Sequence, residues 1–317
     1  MELIRGLHNL RPDHHGCVAT IGNFDGVHLG HQAVIGQLAE KAEQLNLPAV
    51  VITFEPQPRE YFAPETSPPR MTRFREKIEA LRRYAVKRVL CLAFNWQLAD
   101  MTPDEFIRRI LVDDLGVKYL VVGDDFRFGH QREGTFAHLK AAGELYGFQV
   151  VHMKTFNVNN ERVSSTRIRH ALDEGSMEIA SALLGRDYRI SGRVGHGEKL
   201  GRELGFPTAN IFLHRKVSPL QGIFVVELYG LDNEPLAGVA SIGTRPTVDD
   251  SETPILEVHL FDFDQDIYGK HVQVSFLHKI RDEAKFSSLK ILKEKIQLDV
   301  DIAKAYFTQN DINRGTL

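Results

Sequence analysis

The feature that most constrains the fold of this chain is a change in the rhythm of its apolar segments near residue 185. Before that point, short runs rich in Val, Ile and Leu alternate with segments whose apolar residues recur at helical spacing. The apolar runs are "CVATIG" (17–22), "AVVITF" (49–54), "RVLCLAF" (88–94), "KYLVVG" (118–123) and "FQVVHM" (148–153). The helical patterns are "HQAVIGQLAEKAEQL", "RFREKIEALRRYA", "PDEFIRRILVDDL" and "TFAHLKAAGELYG". This alternation predicts a Rossmann-like parallel sheet covered on both faces.

The residues beyond about 186 predict a different architecture. Their strand-like segments are separated by clusters of Gly, Pro and Asp, and we expect no helix between them. These segments are "YRISGRV", "GIFVVELYG", "LAGVASIG", "ILEVHLFDF" and "HVQVSFLHKI". A final amphipathic stretch, "SSLKILKEKIQLDVDIAKAYF", predicts a long helix that covers the strands. The fold class is therefore α/β plus β. It comprises an N-terminal Rossmann-like parallel-sheet domain (1–185) and a C-terminal antiparallel β-barrel domain with a closing helix (186–317).

Composition limits the partners and the location of the chain. Its 317 residues carry a net charge of -3, which gives no reason to expect attraction to nucleic acid or to an anionic membrane. No apolar run approaches the ~18 residues of a membrane span, and the first residues lack the apolar core of a secretory signal. Cys17 and Cys91 lie in apolar runs, where we expect reduced thiols, with a single disulfide between them as the alternative. We expect a cytoplasmic monomer or weak homo-oligomer without nucleic-acid or membrane partners.

The turn after the first apolar run, in "TIGNFDGVHLGHQ" (20–32), combines glycines, an acid and two histidines. A helix that begins near His28 or Leu29 would offer free backbone N–H groups to a phosphate, and His28 and His31 would lie on one side of its first turn. A zinc site is a weaker alternative, because no second His/Cys pair has suitable spacing. Histidines that merely pack or face solvent are the other alternative. The strand, glycine turn and helix start together favour phosphate binding, with Asp25 bracing the turn.

A second motif, "RVSSTRIRHAL" (162–172), places three arginines around a helix start. One of Ser164, Ser165 and Thr166 is a natural N-cap for that helix. Guanidinium groups bind phosphate oxygens in a forked geometry, so the motif fits the other side of a triphosphate site. A capped helix with solvated arginines is the alternative.

A third motif, "VVGDDFRFGH" (121–130), follows another predicted strand. Asp124 and Asp125 supply acceptors and Phe126 and Phe128 supply aromatic faces, a combination that suits a planar heteroaromatic ligand; a turn with inward-packed phenylalanines is the alternative. The Pro-rich segment 55–72 is long for a connector in an α/β domain. Whether it closes as a lid or serves as a stiff surface connector stays open.

These motifs resemble a known family in order and across nearly the whole chain. "GNFDGVHLGH", "GDDFRFG" and "RVSSTRIR" are similar to the nucleotidyltransferase half of the bacterial bifunctional riboflavin kinase/FMN adenylyltransferases, or FAD synthetases. The second half resembles the same family through "GRELGFPTAN" (201–210), "GVASIGTRPTVDD" (238–250), "LEVHLFDFDQDIYGK" (256–270) and "IRDEAKFSSLKIL" (280–292). The resemblance implies that the C-terminal domain phosphorylates riboflavin with ATP to FMN. It implies that the N-terminal domain adenylylates FMN with a second ATP to FAD and pyrophosphate.

For adenylyl transfer, the resemblance implies alignment and charge neutralisation rather than base catalysis, because the FMN phosphate is already ionised. The implied catalytic residues are His28, His31, Arg162 and Arg167. The implied ATP-binding residues are Gly22, Asn23, Phe24, Gly30, Ser164, Ser165 and Thr166. The implied flavin-binding residues are Phe54, Pro56, Asp125, Phe126 and Phe128.

The kinase reaction differs, because a primary alcohol gains from a positioned carboxylate that takes its proton. Glu257 matches the family's catalytic glutamate, and strand alternation places it with His259 opposite the apolar Leu256, Val258 and Leu260. Without the resemblance, a solvated Glu would be the simpler explanation. The implied Mg²⁺ ligands are Thr208 and Asn210. The implied ATP-binding residues are Gly192, Gly197, Lys199, Gly201, Pro207, Thr208 and Asn210. The implied flavin-binding residues are Arg281, Glu283 and Phe286.

Two other functions remain as alternatives at this point. A nucleotidyltransferase acting on another phosphorylated substrate would share the histidine and serine motifs but would leave the second domain without a role. A non-catalytic flavin-binding protein would keep the fold, yet it would not need intact histidines, arginines and Glu257.

Overall fold

The computed structural model describes residues 1–153, 155–197, 200–215, 217–246 and 252–314. These residues form two compact units. Unit 1 comprises residues 1–68 and 74–164, and unit 2 comprises residues 69–73 and 165–317. Compactness does not assign an activity to a range, so the functional domains 1–185 and 186–317 stay predictions.

Unit 1 is built on a six-stranded parallel sheet with the order β1-β4-β3-β2-β5-β6. Its strands are β1 (Glu2–Arg5), β2 (Cys17–Ile21), β3 (Ala49–Glu55), β4 (Arg88–Ala93), β5 (Val117–Gly123) and β6 (Gln149–Met153). The five predicted strands are confirmed. β1 was not predicted, and it adds an edge to the sheet by pairing in parallel with β4.

Helices cover both faces of this sheet, as the continuous apolar strands predict. The helical elements of unit 1 are α1 (Leu29–Leu45), α2 (Pro58–Phe62), α3 (Phe74–Leu81), α4 (Trp96–Ala99), α5 (Pro103–Glu105), a π-helix (Phe106–Asp114) and α6 (Phe136–Tyr146). Along β2, Cys17 and Ala19 enter one apolar cluster while Val18 enters the other. A short hairpin, β7 (Asn157–Val158) and β8 (Glu161–Arg162), follows the sheet.

One predicted helix has an unexpected geometry. The segment 103–115 is α-helical only over α5, which begins with a capping box between Thr102 and Glu105. The following nine residues are π-helical, and the Leu115 N–H donates to the Ile110 carbonyl five residues back.

Unit 2 is a closed antiparallel barrel with the strand order β10-β13-β12-β11-β14-β9. Its strands are β9 (Tyr188–Gly195), β10 (Ala209–Phe212), β11 (Gly222–Tyr229), β12 (Leu236–Pro246), β13 (Glu252–Leu260) and β14 (His271–Arg281). Its helices are α7 (Ser165–Glu174), α8 (Met177–Leu184), α9 (Leu200–Leu204) and α10 (Leu289–Arg314). The barrel and closing helix are confirmed. The expectation of no helix between the strands was wrong, because the five-residue α9 lies between β9 and β10 and is too short to show a helical period.

The closing helix α10 packs Val300 and Ala303 against Ile223, Val225 and Val239 of the barrel. None of the helices in the described part of the chain is long and apolar enough to cross a membrane.

Residues 69–73 belong to unit 2, and hydrogen bonds in both directions join them to the rest of that unit. Met71 is fully buried, and the Tyr188 hydroxyl donates to its carbonyl at 2.7 Å. Arg73 donates to the carbonyls of Leu213 and Ser191.

Candidate active sites

The first predicted site lies where the chain reverses its direction across the parallel sheet. From β2 the strands proceed to β3 and β4 on one side, and β5 and β6 then lie on the other. Ligands of open parallel sheets bind at such a switch point, beyond the carboxyl ends of the strands. The turn after β2 and the turn after β5, which carry two of the predicted motifs, therefore flank the expected position of a ligand.

The turn after β2 is tightly constrained. The Gly22 N–H donates to the Ile52 carbonyl at 3.0 Å. Phe24 and Val27 have left-handed φ angles of 50° and 45°, although neither is glycine, and both are buried. Such conformations are costly unless the surroundings impose them, and they cluster at functional sites. Asp25 is buried within the same turn, and its bracing role stays a prediction.

The two histidines form a stacked pair at the start of α1. His28 is the N-cap, and its Nδ1 accepts a hydrogen bond from the His31 backbone N–H at 3.3 Å. The ring centroids are 3.6 Å apart and the planes differ by 14°. Because Nδ1 of His28 is an acceptor, the proton of this neutral imidazole lies on Nε2. A Cβ at position 30 would lie 3.2 Å from the His28 ring, so Gly30 leaves room for the pair.

His31 offers a hydrogen bond rather than a charge. Burial, followed by the proximity of His28 and of the charge on buried Lys77, lowers its pKa well below the ordinary value. The ring is therefore neutral at pH 7. Its Nδ1 is buried and has no hydrogen-bond partner among the described residues. The described residues contain no group of three or more His, Cys, Asp or Glu side chains able to hold a metal ion, which gives no support to a zinc site here.

Arg162 links two motifs that the sequence presented separately. Its Nη2 donates to Asp124 at 3.2 Å and to Asp125 at 2.9 Å, so the arginine contacts the carboxylates of "GDDFRFG". The Thr155 hydroxyl donates to the other oxygen of Asp124 at 2.5 Å. The Thr155 hydrogen bond, with the charge of Arg162, lowers the pKa of Asp124. These bonds fix the guanidinium at the carboxyl end of β5.

The remaining residues of "RVSSTRIR" are divided between the two units. Ser164 is the last residue of unit 1, whereas Ser165, Thr166 and Arg167 occupy the first turn of α7 in unit 2. Helix α7 begins at Ser165, which is one of the three residues predicted as candidate N-caps. Within unit 2, Arg169 donates to the Pro69 carbonyl at 2.8 Å.

A cavity of about 720 Å³ lies beside this site in unit 1. Its lining includes the predicted residues Gly22, Asn23, Phe54, Asp125, Phe126 and Phe128. Pro56 is not among its lining residues. Phe126 and Phe128 stack with centroids 5.6 Å apart, and Phe128 is also packed into the core, so the predicted aromatic wall and inward packing both occur.

Sequence reasoning missed several walls of this cavity. Phe94 follows β4, and the rule that ligands lie beyond strand ends could have identified it. Phe62 lies in the Pro-rich segment and contacts Phe94 with centroids 5.6 Å apart. The stretch 66–68 of that segment also lines the cavity, which supports a binding role for the loop.

The second predicted site lies on the outer face of the barrel. Leu256 and Val258 are fully buried, while Glu257 and His259 project to the opposite face of β13, as the alternation predicts. In the barrel register Glu257 is paired with Asn210 of β10 and with Ser241 of β12. Directly opposed residues of antiparallel strands have Cβ atoms about 5 Å apart. The barrel therefore aligns the carboxylate with the predicted metal ligand.

Asn210 is 5% exposed, and its geometry leaves an oxygen available. Its Nδ2 donates to the Thr208 carbonyl at 3.3 Å, whereas its Oδ1 is buried without a hydrogen-bond partner in the described residues. A Cβ on Gly197 would overlap the Asn210 amide, and a Cβ on Gly201 would lie 3.4 Å from the Thr208 hydroxyl. Gly192 packs as closely on Ile211. Lys199 lies outside the described residues.

A cavity of about 370 Å³ extends from Gly201 and Thr208 to the predicted flavin site of unit 2. Thr208, Glu257, Arg281, Glu283 and Phe286 all line it. Its apolar wall comes from α9, the barrel and α10 through Leu204, Phe206, Ile223, Val239, Leu292 and Ile296.

Arg281 is held rigidly at the edge of this second cavity. Its Nε and Nη2 donate to the two carboxylate oxygens of Asp299 at 2.9 and 2.7 Å. Its guanidinium lies 5.6 Å from the Phe286 ring centroid, and Ser241 donates to Glu283 at 3.1 Å. Asp299 and Ser241 were not predicted; an acid on the buried face of α10 was a signal for Asp299.

Comparisons with known proteins cover both units. A family model described as FAD synthetase matches residues 10–167, and one described as riboflavin kinase matches residues 184–307. A "Bifunctional riboflavin kinase/FMN adenylyltransferase" of Haemophilus influenzae is 50% identical over 307 residues, covering 97% of this chain and 99% of that protein. A protein of the same name from Pseudomonas fluorescens is 51% identical over 305 residues, covering 96% and 97%.

A solved structure shares the fold over nearly the whole length. It is described as a macrolide-efflux protein from Streptococcus pneumoniae, is 32% identical, and superposes with a TM-score of 0.82 over 96% of this chain and 99% of that one. The barrel matches the riboflavin kinase model, which leaves no support for a transferase of another substrate. With both models matched in order and curated relatives of about 50% identity, this chain belongs to the bifunctional riboflavin kinase/FMN adenylyltransferases, which phosphorylate riboflavin to FMN and adenylylate FMN to FAD.

Proposed function

We propose that the kinase reaction takes place in the 370 Å³ cavity of unit 2 and the adenylyl transfer beside the 720 Å³ cavity of unit 1. The observation that carries the proposal is the position of Glu257. It lines the same cavity as Thr208 and the predicted flavin residues and is paired across the barrel with Asn210.

In the kinase reaction, Glu257 acts as the general base. The terminal ribityl hydroxyl of riboflavin attacks the γ-phosphate of ATP, Glu257 takes the hydroxyl proton, and ADP leaves. The apolar wall and Phe286 accept the flavin ring, while Arg281 and Glu283 supply polar contacts at its edge.

We further propose that Thr208 and Asn210 hold Mg²⁺. A buried carboxamide oxygen without a described partner, next to a hydroxyl, suits a hard cation. When bound, Mg²⁺ neutralises charge on the ATP phosphates. Gly197 and Gly201 keep the surrounding backbone close, so that Asn210 and Thr208 retain their positions.

In the adenylyl transfer, the FMN phosphate attacks the α-phosphate of ATP and pyrophosphate leaves. No base is required, so His28 and His31 contribute hydrogen bonds to phosphate oxygens as neutral rings. Arg162 contributes the positive charge and exchanges its aspartate partners for phosphate. For Ser165, Thr166 and Arg167, which lie in unit 2, the ATP-binding and catalytic roles implied by the resemblance stay predictions.

The test is a product assay with riboflavin, ATP and Mg²⁺, resolved by chromatography. Glu257→Gln should lower FMN formation by about 10²- to 10⁴-fold while FAD still forms from supplied FMN. His28→Ala should give the reverse, with FMN accumulating and FAD formation lost. Glu234→Gln, an exposed carboxylate of the barrel unit, is the matched control. Undiminished kinase activity in Glu257→Gln, or equal loss of both activities in His28→Ala, would contradict the assignment.

We also propose that the protein acts in the cytoplasm as a monomer or weak homo-oligomer, without nucleic-acid or membrane partners. Two free, buried cysteines and the use of ATP support this location, and the net charge of -3 supports the absence of anionic partners. Cell fractionation and light scattering of the purified protein test these points.

A further inference from the structure

His259 occupies a position in the kinase site to which the proposed chemistry gives no role. It lies two residues after Glu257 on the same face of β13 and lines the same cavity. Its Nδ1 lies 2.9 Å from the Pro207 carbonyl oxygen. A carbonyl only accepts hydrogen bonds, so Nδ1 carries a proton and donates it. The imidazole is thus fixed to the backbone of the residue before Thr208.

The segment that receives this hydrogen bond precedes the barrel ladder. The pairing of β10 with β13 begins at Ala209 and Val258, so Pro207 and Thr208 lie outside it. Three described hydrogen bonds hold this segment, and one of them is the bond from Asn210 Nδ2 to the Thr208 carbonyl at 3.3 Å. The Phe206 N–H donates to the Gly201 carbonyl at 2.7 Å, and His259 binds the Pro207 carbonyl.

The ring of His259 is itself held by aromatic neighbours. Phe206 meets it edge-on, with centroids 5.5 Å apart and planes at 86°, and the Phe261 ring lies 6.1 Å away with planes at 69°. A ring fixed in this way supplies a rigid donor, and such supporting hydrogen bonds determine how accurately a functional side chain is placed.

We propose that His259 is a positioning residue of the kinase reaction. Its Nδ1–H holds the Pro207 carbonyl and thereby places the Thr208 hydroxyl beside Asn210, opposite Glu257. This inference rests on the proposed roles of Thr208 and Asn210 in binding ATP with Mg²⁺. It assigns His259 to the nucleotide side of the cavity and gives it no contact with riboflavin.

Three substitutions of His259 distinguish the role of its Nδ1 from that of its Nε2. Asn carries an amide N–H near the position of Nδ1, Gln carries one near Nε2, and Ala carries neither. We expect His259→Ala and His259→Gln to weaken binding of ATP with Mg²⁺ by about 10- to 100-fold, the usual effect of losing a supporting partner. His259→Asn should stay within about threefold of the parent protein. Titration calorimetry without riboflavin measures this binding directly, and kinase KM for ATP should follow it.

Riboflavin binding, measured by quenching of flavin fluorescence, should be unchanged in all three variants. This unchanged binding verifies that unit 2 is folded, and unchanged FAD formation from supplied FMN verifies that unit 1 is intact. If His259→Ala does not fold, the difference in ATP–Mg²⁺ binding between His259→Asn and His259→Gln still tests the proposal. The proposal would be overturned if His259→Gln, rather than His259→Asn, retained ATP–Mg²⁺ binding. It would also be overturned if the variants bound riboflavin more weakly while their ATP binding stayed intact.

Thr208→Ala separates this inference from the proposed function. If Thr208→Ala weakens ATP–Mg²⁺ binding while His259→Ala does not, the role of His259 is wrong and that of Thr208 stands. If Thr208→Ala leaves this binding unchanged, the assignment of Thr208 fails and the inference fails with it.

Discussion

Replacing Asp299 by Asn tests how the closing helix stabilises the barrel unit. Nε and Nη2 of Arg281 donate to the two oxygens of Asp299 at 2.9 and 2.7 Å. Asp299 is 3% exposed, whereas the Arg281 side chain retains 25% exposure. Asn has nearly the shape of Asp, so Asp299→Asn removes the charge and one acceptor while the packing volume is kept.

The expected cost can be worked out from this geometry. Removing one partner of a buried ion pair costs about 3–5 kcal/mol, because the other charge is left without compensation. Water still reaches part of Arg281, so we expect the lower end, about 3 kcal/mol. For a unit of this size, that loss lowers the Tm by about 6–12 °C. The kinase KM for riboflavin should rise by up to about tenfold, because the freed guanidinium must be ordered on binding.

Urea and thermal unfolding of the full chain measure the first effect, and kinase assays measure the second. Asp301→Asn is the matched control, since Asp301 is exposed on the same helix and accepts from Gln297 at 2.9 Å. It should change the free energy of unfolding by no more than about 0.5 kcal/mol. If the two variants unfold within that margin of each other, the ion pair does not stabilise the unit and the reasoning is refuted.

Two further predictions concern unit 1. The hydrogen bond from Thr155, with Arg162, lowers the pKa of Asp124, so its stabilising contribution is complete above the ordinary carboxyl pKa and is lost as the pH falls through the lowered value. In Asp124→Asn the free energy of unfolding should therefore fall less steeply below about pH 4 than in the parent protein. An unchanged pH dependence in that range, measured by urea unfolding at several pH values, would contradict this. Burial raises the pKa of the Cys17 thiol to about 12. In a Cys91→Ser protein at pH 8, Cys17 should react with a thiol reagent only after unfolding, whereas rapid labelling of the native protein would show that the thiol is accessible.

The elements that the sequence predicted are those with long apolar runs. β1 and β10 were not predicted because each has only four residues, and β10 directly follows the Pro-containing segment at 206–208. Both are defined by their partners, β4 for the first and β13 for the second, and pairing of distant strands leaves no periodic trace in a segment so short. The π-helical geometry after α5 likewise left the apolar spacing almost unchanged.

Site residues could be recognised individually, but their grouping could not be predicted. Strand alternation correctly placed Glu257 opposite the barrel interior, yet its alignment with Asn210 depends on barrel register. Arg162 was predicted as a phosphate ligand and Asp125 as a flavin ligand, and the structure brings them within 2.9 Å. Such contacts join segments 37 positions apart, and side-chain geometry rather than sequence spacing determines them.

The closure of the barrel has a consequence for the order in which the protein is made. β9 pairs with β14, so the first and last strands are neighbours, and the ring cannot close until residue 281 has left the ribosome. All strands of the parallel sheet have emerged by residue 153, more than a hundred positions earlier. Domains generally fold as they emerge, at about 5–20 residues per second. The adenylyltransferase sheet can therefore assemble several seconds before the kinase barrel. Residues 69–73 must wait for the Tyr188 hydroxyl, which donates to the Met71 carbonyl, and for the Leu213 carbonyl, which accepts from the Arg73 side chain.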